Sequence, residues 1–165
     1  LAELRDDRER WQREHPEPTD KQLNESAREH MKKVERWLDQ GHGACVLRRD
    51  DVADLVEDRL RYADEQHYSL FSAVIMPNHV HACVKPLGKN GLDEAMQAWK
   101  SVSSRMINRV LRRKGRVWQD ESFDRIVRDT PHLRRVVKYM EANPAKAGVA
   151  ARCWTTPAWD EWLGR

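Results

Sequence analysis

The chain has 165 residues, enough for one domain with an appendage but not for several independent cores. Hydrophobic residues make up 39% and no apolar run reaches the length of a membrane span, so no helical membrane segment is expected. Net charge is only +3, yet it is unevenly spread: residues 85–152 hold 16 Lys/Arg against 7 Asp/Glu, and the rest holds 14 against 20. The basic stretch is the signature of a polyanion-binding surface. Cys45, Cys83 and Cys153 are odd in number and widely spaced. They form neither a disulfide framework nor a Cys-x-x-Cys zinc pattern, which fits a reducing cytoplasm.

In chain order, the charged stretch from Leu1 to Glu14 is weakly helical and is broken at His15-Pro16-Glu17-Pro18. Thr19-Asp20 caps a second helix, with Leu23, Ala27, Met31, Val34 and Leu38 at helical spacing and Gly41 and Gly43 at its end. A short extended piece is expected at 44–47. A helix capped by Asp50-Asp51 follows, burying Val52, Leu55, Val56, Leu60 and Ala63. Residues 68–75 and 79–85 read as a strand hairpin around the turn Pro77-Asn78. Gly88 and Gly91 mark a loop before a long helix whose stripe is Leu92, Ala95, Met96, Trp99, Val102, Met106, Ile107 and Val110. Lys100, Arg105, Arg109, Arg112 and Arg113 form its polar side, and Gly115 ends it. Val117-Trp118 and 123–128 read as extended segments, with Trp99, Trp118 and Phe123 as core rather than base-stacking platforms. The last clear helix starts at Thr130-Pro131 and is expected to stop at Asn143-Pro144. The segmentation is therefore 1–43, a charged helical segment; 44–150, the core; and 151–165, a tail carrying Trp154, Trp159 and Trp162 with no assignable structure.

The chemistry concentrates at two places. In the second strand of the hairpin, period two puts His79, His81 and Cys83 on one face, with the imidazoles roughly 7 Å apart along the chain. Two imidazoles so placed can share a divalent ion, or stand as ordinary strand residues; with Cys83 a His-His-Cys zinc site is a further alternative. In the last helix, Leu133, Val136, Val137 and Met140 make the buried stripe. Tyr139 lies about 110° from its centre at 100° per residue, flanked by Arg135 and Asn143 one turn away on either side. A tyrosine outside the stripe, beside cationic and amide groups, can serve as a nucleophile at phosphorus if its hydroxyl is activated and the phosphate charge neutralised, or is a packing residue with its hydroxyl in water. Asn143 offers a third, oxygen ligand to an ion on the histidines, or caps the helix before Pro144. Imidazole ligands favour Mn2+, although Mg2+ is the oxygen-seeking alternative.

Five stretches carry a resemblance: Arg36 to Gly43, Met76-Pro77-Asn78-His79-Val80-His81, Trp99-Lys100-Ser101, Trp118 to Arg125, and Tyr139 to Gly148. In order and spacing over about residues 20 to 150, the chain resembles the single-tyrosine His-hydrophobic-His (HUH) transposases. Within them it is most similar to those associated with repetitive extragenic palindromes. The resemblance implies an α+β, ferredoxin-like antiparallel sheet with helices on one face. It implies a cytoplasmic DNA transposase or nickase, working as a monomer or homodimer, that cuts single-stranded DNA beside a hairpin. Tyr139 would form a 5′-phosphotyrosine link, and His79, His81 and Asn143 would hold Mg2+ or Mn2+. Lys100, Arg105, Arg109, Arg112, Arg113, Arg125, Arg128, Arg134 and Arg135 would bind hairpin phosphates, with flanking unpaired bases available for readout. A non-catalytic binder of hairpin DNA is the competing function. The family begins with a central strand beside the histidine strand, and nothing before Leu4 supplies one. The numbered chain is therefore expected to be a fragment or a degenerate copy.

Overall fold

The structure, a computed structural model, describes residues 2–87, 91–120 and 122–163; the expectations at Leu1, Gly88 and Glu121 lie outside these. The chain divides into two compact units, Leu1–Gly43 and Ala44–Arg165.

The first unit is a pair of helices, α1 (Ala2–Glu14) and α2 (Asp20–Asp39). Thr19 and Gln22 form a reciprocal capping box, in which the Gln22 amide donates to Thr19 Oγ1 and the Thr19 amide donates to Gln22 Oε1. Lys33 on α2 reaches Asp7 on α1 at 2.7 Å and draws its carboxyl below the usual carboxylate range. This exposed ion pair orients more than it stabilises.

The second unit is built on β1 (Tyr68–Ile75), which lies centrally in a three-stranded antiparallel sheet between β2 (Val80–Pro86) and β3 (Arg152–Thr155). Its run of large apolar and β-branched residues is buried on both faces. The register slips between Leu70 and Ser72, leaving Phe71 as an extra residue. This bulge changes the parity of the strand, so Tyr68 and Leu70 share one core with Ala73 and Ile75. Phe71, Val74 and Met76 enter the other core.

Helices α3 (Asp50–Ala63) and α4 (Leu92–Val110) fill the first core with Val52, Val56, Leu60, Trp99 and Ile107. Helix α5 (Thr130–Ala147) fills the second with Leu133, Val137 and Met140, joined by Trp159 of α6 (Pro157–Leu163). The α+β antiparallel architecture is that expected from the sequence, but the helices cover both faces of the sheet rather than one. The physical reason is the two-faced burial of β1, which needs a helical layer on each side. Among the described residues, no strand pairs with the outer edge of β2.

Several local expectations are corrected. Residues 44–47 are not extended: Cys45 is left-handed (φ 44°, ψ 37°), and Val46–Arg48 form a 3₁₀ turn anchored by buried Leu47, whose amide donates to the Pro77 carbonyl. The N-cap of α3 is Arg49, with Asp50 and Asp51 inside the first turn, where carboxylates still oppose the helix dipole favourably. On α4 the buried line is Ala95, Trp99, Ser103 and Ile107, whereas Met106 and Val110 are exposed. Ser103 tolerates burial because its hydroxyl donates to the Trp99 carbonyl and accepts the Trp118 indole N–H at 2.8 Å. Segments 117–118 and 123–128 form no ladder, and Ile126 is exposed. Helix α5 continues through Pro144, whose missing N–H removes one bond within the last turn, and stops at left-handed Gly148 (φ 63°).

The C-terminal stretch supplies β3 and α6. Arg152 of β3 pairs with Asp54, Asp50 and Glu57 of α3, and these carboxylates raise its affinity for its proton further.

The altered α4 face gives a contrast to measure. Ile107→Ala should cost about 2–5 kcal/mol in denaturant unfolding, and Met106→Ala no more than about 0.5 kcal/mol. Equal losses would contradict the observed face.

Candidate metal and nucleophile centre

The centre forms where α5 crosses β2. The hairpin turn is tight: the Met76 amide donates to the His79 carbonyl at 2.9 Å, with Pro77 and Asn78 at the tip. Strand alternation then sends both imidazoles to the α5 side, where their Nε2 atoms are 3.0 Å apart and their rings nearly perpendicular. From α5, the fully buried Asn143 brings Nδ2 to 2.8 Å from His81 Nε2. One turn earlier on the same helix, Tyr139 is half-buried at the edge of the core. The structure thus gathers His79, His81 and Asn143 into one cluster and puts Tyr139 on the element that completes it.

Counting protons identifies what the cluster suits. His79 Nδ1 lies 2.8 Å from Asn78 Oδ1. An amide oxygen only accepts, so Nδ1 carries the hydrogen and His79 Nε2 presents a lone pair. His81 Nε2 is then asked to donate to His79 and to accept from Asn143 at once, which one nitrogen cannot do. The other end of the Asn143 amide, Oδ1, is buried with no hydrogen-bond partner. Turning the amide over removes both conflicts if a cation lies among the three, with two imidazole lone pairs and one amide oxygen directed at it. The residues present therefore fit a divalent ion. Burial, and secondarily the neighbouring His81, pushes the His79 pKa down to about 3; burial pushes that of His81 down to about 4. Both rings are neutral at physiological pH, as metal ligation requires.

The zinc alternative fails on the same geometry. Cys83 points into the second core, where burial pushes its thiol up to about 11. Among the described residues, no group of three or more His, Cys, Asp or Glu side chains could hold a metal.

The basic residues fall into two sets. Lys100 donates to the carbonyls of Gln119 (2.9 Å) and Asp120 (3.3 Å), so its ammonium anchors the loop after α4. Arg105, Arg109, Arg112, Arg125, Arg128, Arg134 and Arg135 are exposed. Among the described residues, none of these seven is held in an ion pair. Arg113 is half-buried, with Nε 3.3 Å from Asn108 Oδ1. Two partners escape the sequence reading. Lys146 lies over the Tyr139 ring, 4.5 Å from its centroid, and Asn78 fixes the His79 tautomer. Lys146 sits seven residues after Tyr139, a spacing that recurs on one helix face and was the available signal. The signal for Asn78 was its place beside the first histidine.

Depressed histidine values carry a stability signature. In chelator, folded His79 and His81 stay neutral below pH 6.5 while the unfolded chain takes up protons, so stability falls as pH drops from about 6.5 towards 4. The expected loss at pH 5 is on the order of 1–2 kcal/mol per histidine. His79→Ala/His81→Ala should flatten this slope in thermal melts across pH 4.5–7.5; an unchanged slope would contradict the burial.

A family model described as Transposase IS200 like matches residues 45–143. No curated protein and no solved structure gives a match to the chain. No helix among the described residues is long and apolar enough to cross a membrane. The matched segment runs from the turn before α3 to Asn143 itself, spanning the histidine strand and the tyrosine helix, and the chain belongs to the IS200-like transposase family.

Proposed function

We propose that this protein is a divalent-metal-dependent nickase and strand transferase of single-stranded hairpin DNA, with Tyr139 as its nucleophile. Among such transposases it is of the kind associated with repetitive extragenic palindromes. It works in the cytoplasm on nucleoid DNA, as a monomer or homodimer, through a core spanning 44–150. The observation that carries the reading is the 2.8 Å approach of Asn143 to His81, which ties the tyrosine helix to the histidine strand.

When bound, a divalent ion held by His79, His81 and Asn143 withdraws charge from the scissile phosphate. The chain's own residues do the rest. The Tyr139 oxygen attacks phosphorus, a new P–O bond forms to the ring, and the bond to the 3′ oxygen breaks. The phenolic proton passes to water, and the departing 3′ oxygen takes one up. Strand transfer is the reverse displacement: a 3′-hydroxyl attacks the phosphotyrosine and the phenolate leaves. Lys146 on the ring face orients the nucleophile, and its charge favours the electron-rich phenolate in both directions. Exposed Arg105, Arg109, Arg125, Arg128, Arg134 and Arg135 take backbone phosphates of the hairpin.

The decisive assay incubates the protein and Mn2+ with single-stranded hairpins carrying short 5′ and 3′ flanks. A denaturation-resistant protein–DNA band is expected, absent in Tyr139→Phe and in His79→Ala/His81→Ala. Hairpin binding without any adduct would instead support the non-catalytic binder. Affinity should also fall steeply with salt. In Arg105→Ala/Arg109→Ala, the log–log slope should lessen by about 0.7 to 0.9 for each phosphate that is no longer neutralised; an unchanged slope would remove that helix from the interface.

A further inference from the structure

Beside the metal centre is a cavity of about 120 Å³ whose walls include Cys45, Leu47, Asn78, Arg113, Arg116 and Trp118. It is one side chain away from the histidines, because the Asn78 in its wall is the residue whose Oδ1 meets His79 Nδ1. Its aromatic wall is rigid: Trp118 donates its indole N–H to buried Ser103 and packs on Trp99 with ring centroids 4.8 Å apart. With that N–H turned inward, Trp118 offers the cavity apolar ring surface. Its cationic wall comes from the end of α4 and the loop beyond. Arg113, which lines the cavity, donates through Nε to Asn108, so its two terminal nitrogens are not used in that bond. Arg116 pairs with Asp120 at 2.7 Å, but both side chains are about two-thirds exposed (68% and 71%), so a phosphate can replace this weak partner. Two non-glycine residues hold left-handed backbone here, Cys45 in the wall (φ 44°) and Arg112 just before Arg113 (φ 49°).

A flat apolar ring, two guanidinium groups and an amide around one small cavity match the parts of a nucleotide: a π-face, a phosphate and a base edge. We propose that this cavity takes one unpaired nucleotide of the substrate strand, its base against Trp118 and its phosphate on Arg113 and Arg116. This rests on the reading that the chain acts on single-stranded DNA, and it assigns the cavity the recognition of a base flanking the hairpin. Trp118 is then both a core residue, through Trp99 and Ser103, and a recognition surface.

The test measures equilibrium binding of the full chain in EDTA, so that no chemistry intervenes. The probes are hairpin oligonucleotides whose flanking nucleotides are replaced one at a time by an abasic site. At one flank position the abasic substitution should weaken binding about tenfold, the scale of one stacked base. That difference should vanish in Arg113→Ala/Arg116→Ala, and also in Ala44→Trp, which fills the cavity from its rim. Trp118→Ala is unsuitable alone, because it also removes core packing. A tenfold difference that persists in both variants places the base elsewhere and overturns the proposal, as does the absence of any sensitive position. Adduct formation without this dependence would leave the transferase standing and sink the cavity; the dependence without an adduct would do the reverse.

Discussion

Everything at the centre depends on one buried interaction between two elements distant in sequence, the amide of Asn143 against the imidazole of His81. A buried amide and two buried imidazoles form an expensive arrangement unless every lone pair and hydrogen finds a partner. The protein atoms alone do not supply that matching, since one amide oxygen is orphaned and one nitrogen faces incompatible demands. On the reading proposed above, a divalent cation would supply it. The same ion would fix the distance between the histidine strand and the tyrosine helix.

The rest of the second unit is the frame that holds this interaction. Because β1 is buried on both faces, it carries one helical layer on each side, and β2 is aligned against it along seven paired positions. The α5 face that packs on the sheet through Leu133, Val137 and Met140 leaves Tyr139 at its margin and drives Asn143 into the interior. The opposite layer, through α4 and the Ser103–Trp118 bond, shapes the loop carrying Arg113, Arg116 and Lys100's anchors. The histidine cluster and the cavity beside it thus meet at the same hairpin turn, joined by the Asn78–His79 bond.

Much of this was legible from spacing. Alternation placed His79 and His81 on one face, and helical angle placed Tyr139 beside rather than within the stripe of α5. What was not legible depended on tertiary partners. Ser103 is absent from the apolar stripe expected for α4, but is core because Trp118 returns from fifteen residues away to share its hydroxyl. Met106 reads as core from periodicity, yet it stands exposed on the outer side of α4. Pro144 reads as a stop, but Gly148 one turn later sets the real end, since a helix loses only one bond to a proline so near its terminus. The tail gave no periodic signal, and β3 exists because it finds the free edge of β1 and an acidic patch for Arg152. The phosphate role of Lys100 likewise could not be separated from loop anchoring until its two carbonyl partners were seen.

The central claim is that the His79–His81–Asn143 cluster is a divalent-metal site. The most direct measurement is anomalous diffraction at the manganese edge from crystals of the protein soaked in Mn2+. The account predicts one strong peak between the two Nε2 atoms, with the Asn143 amide turned to present Oδ1. A map without a peak there, with His79 and His81 still bonded to one another, would contradict it.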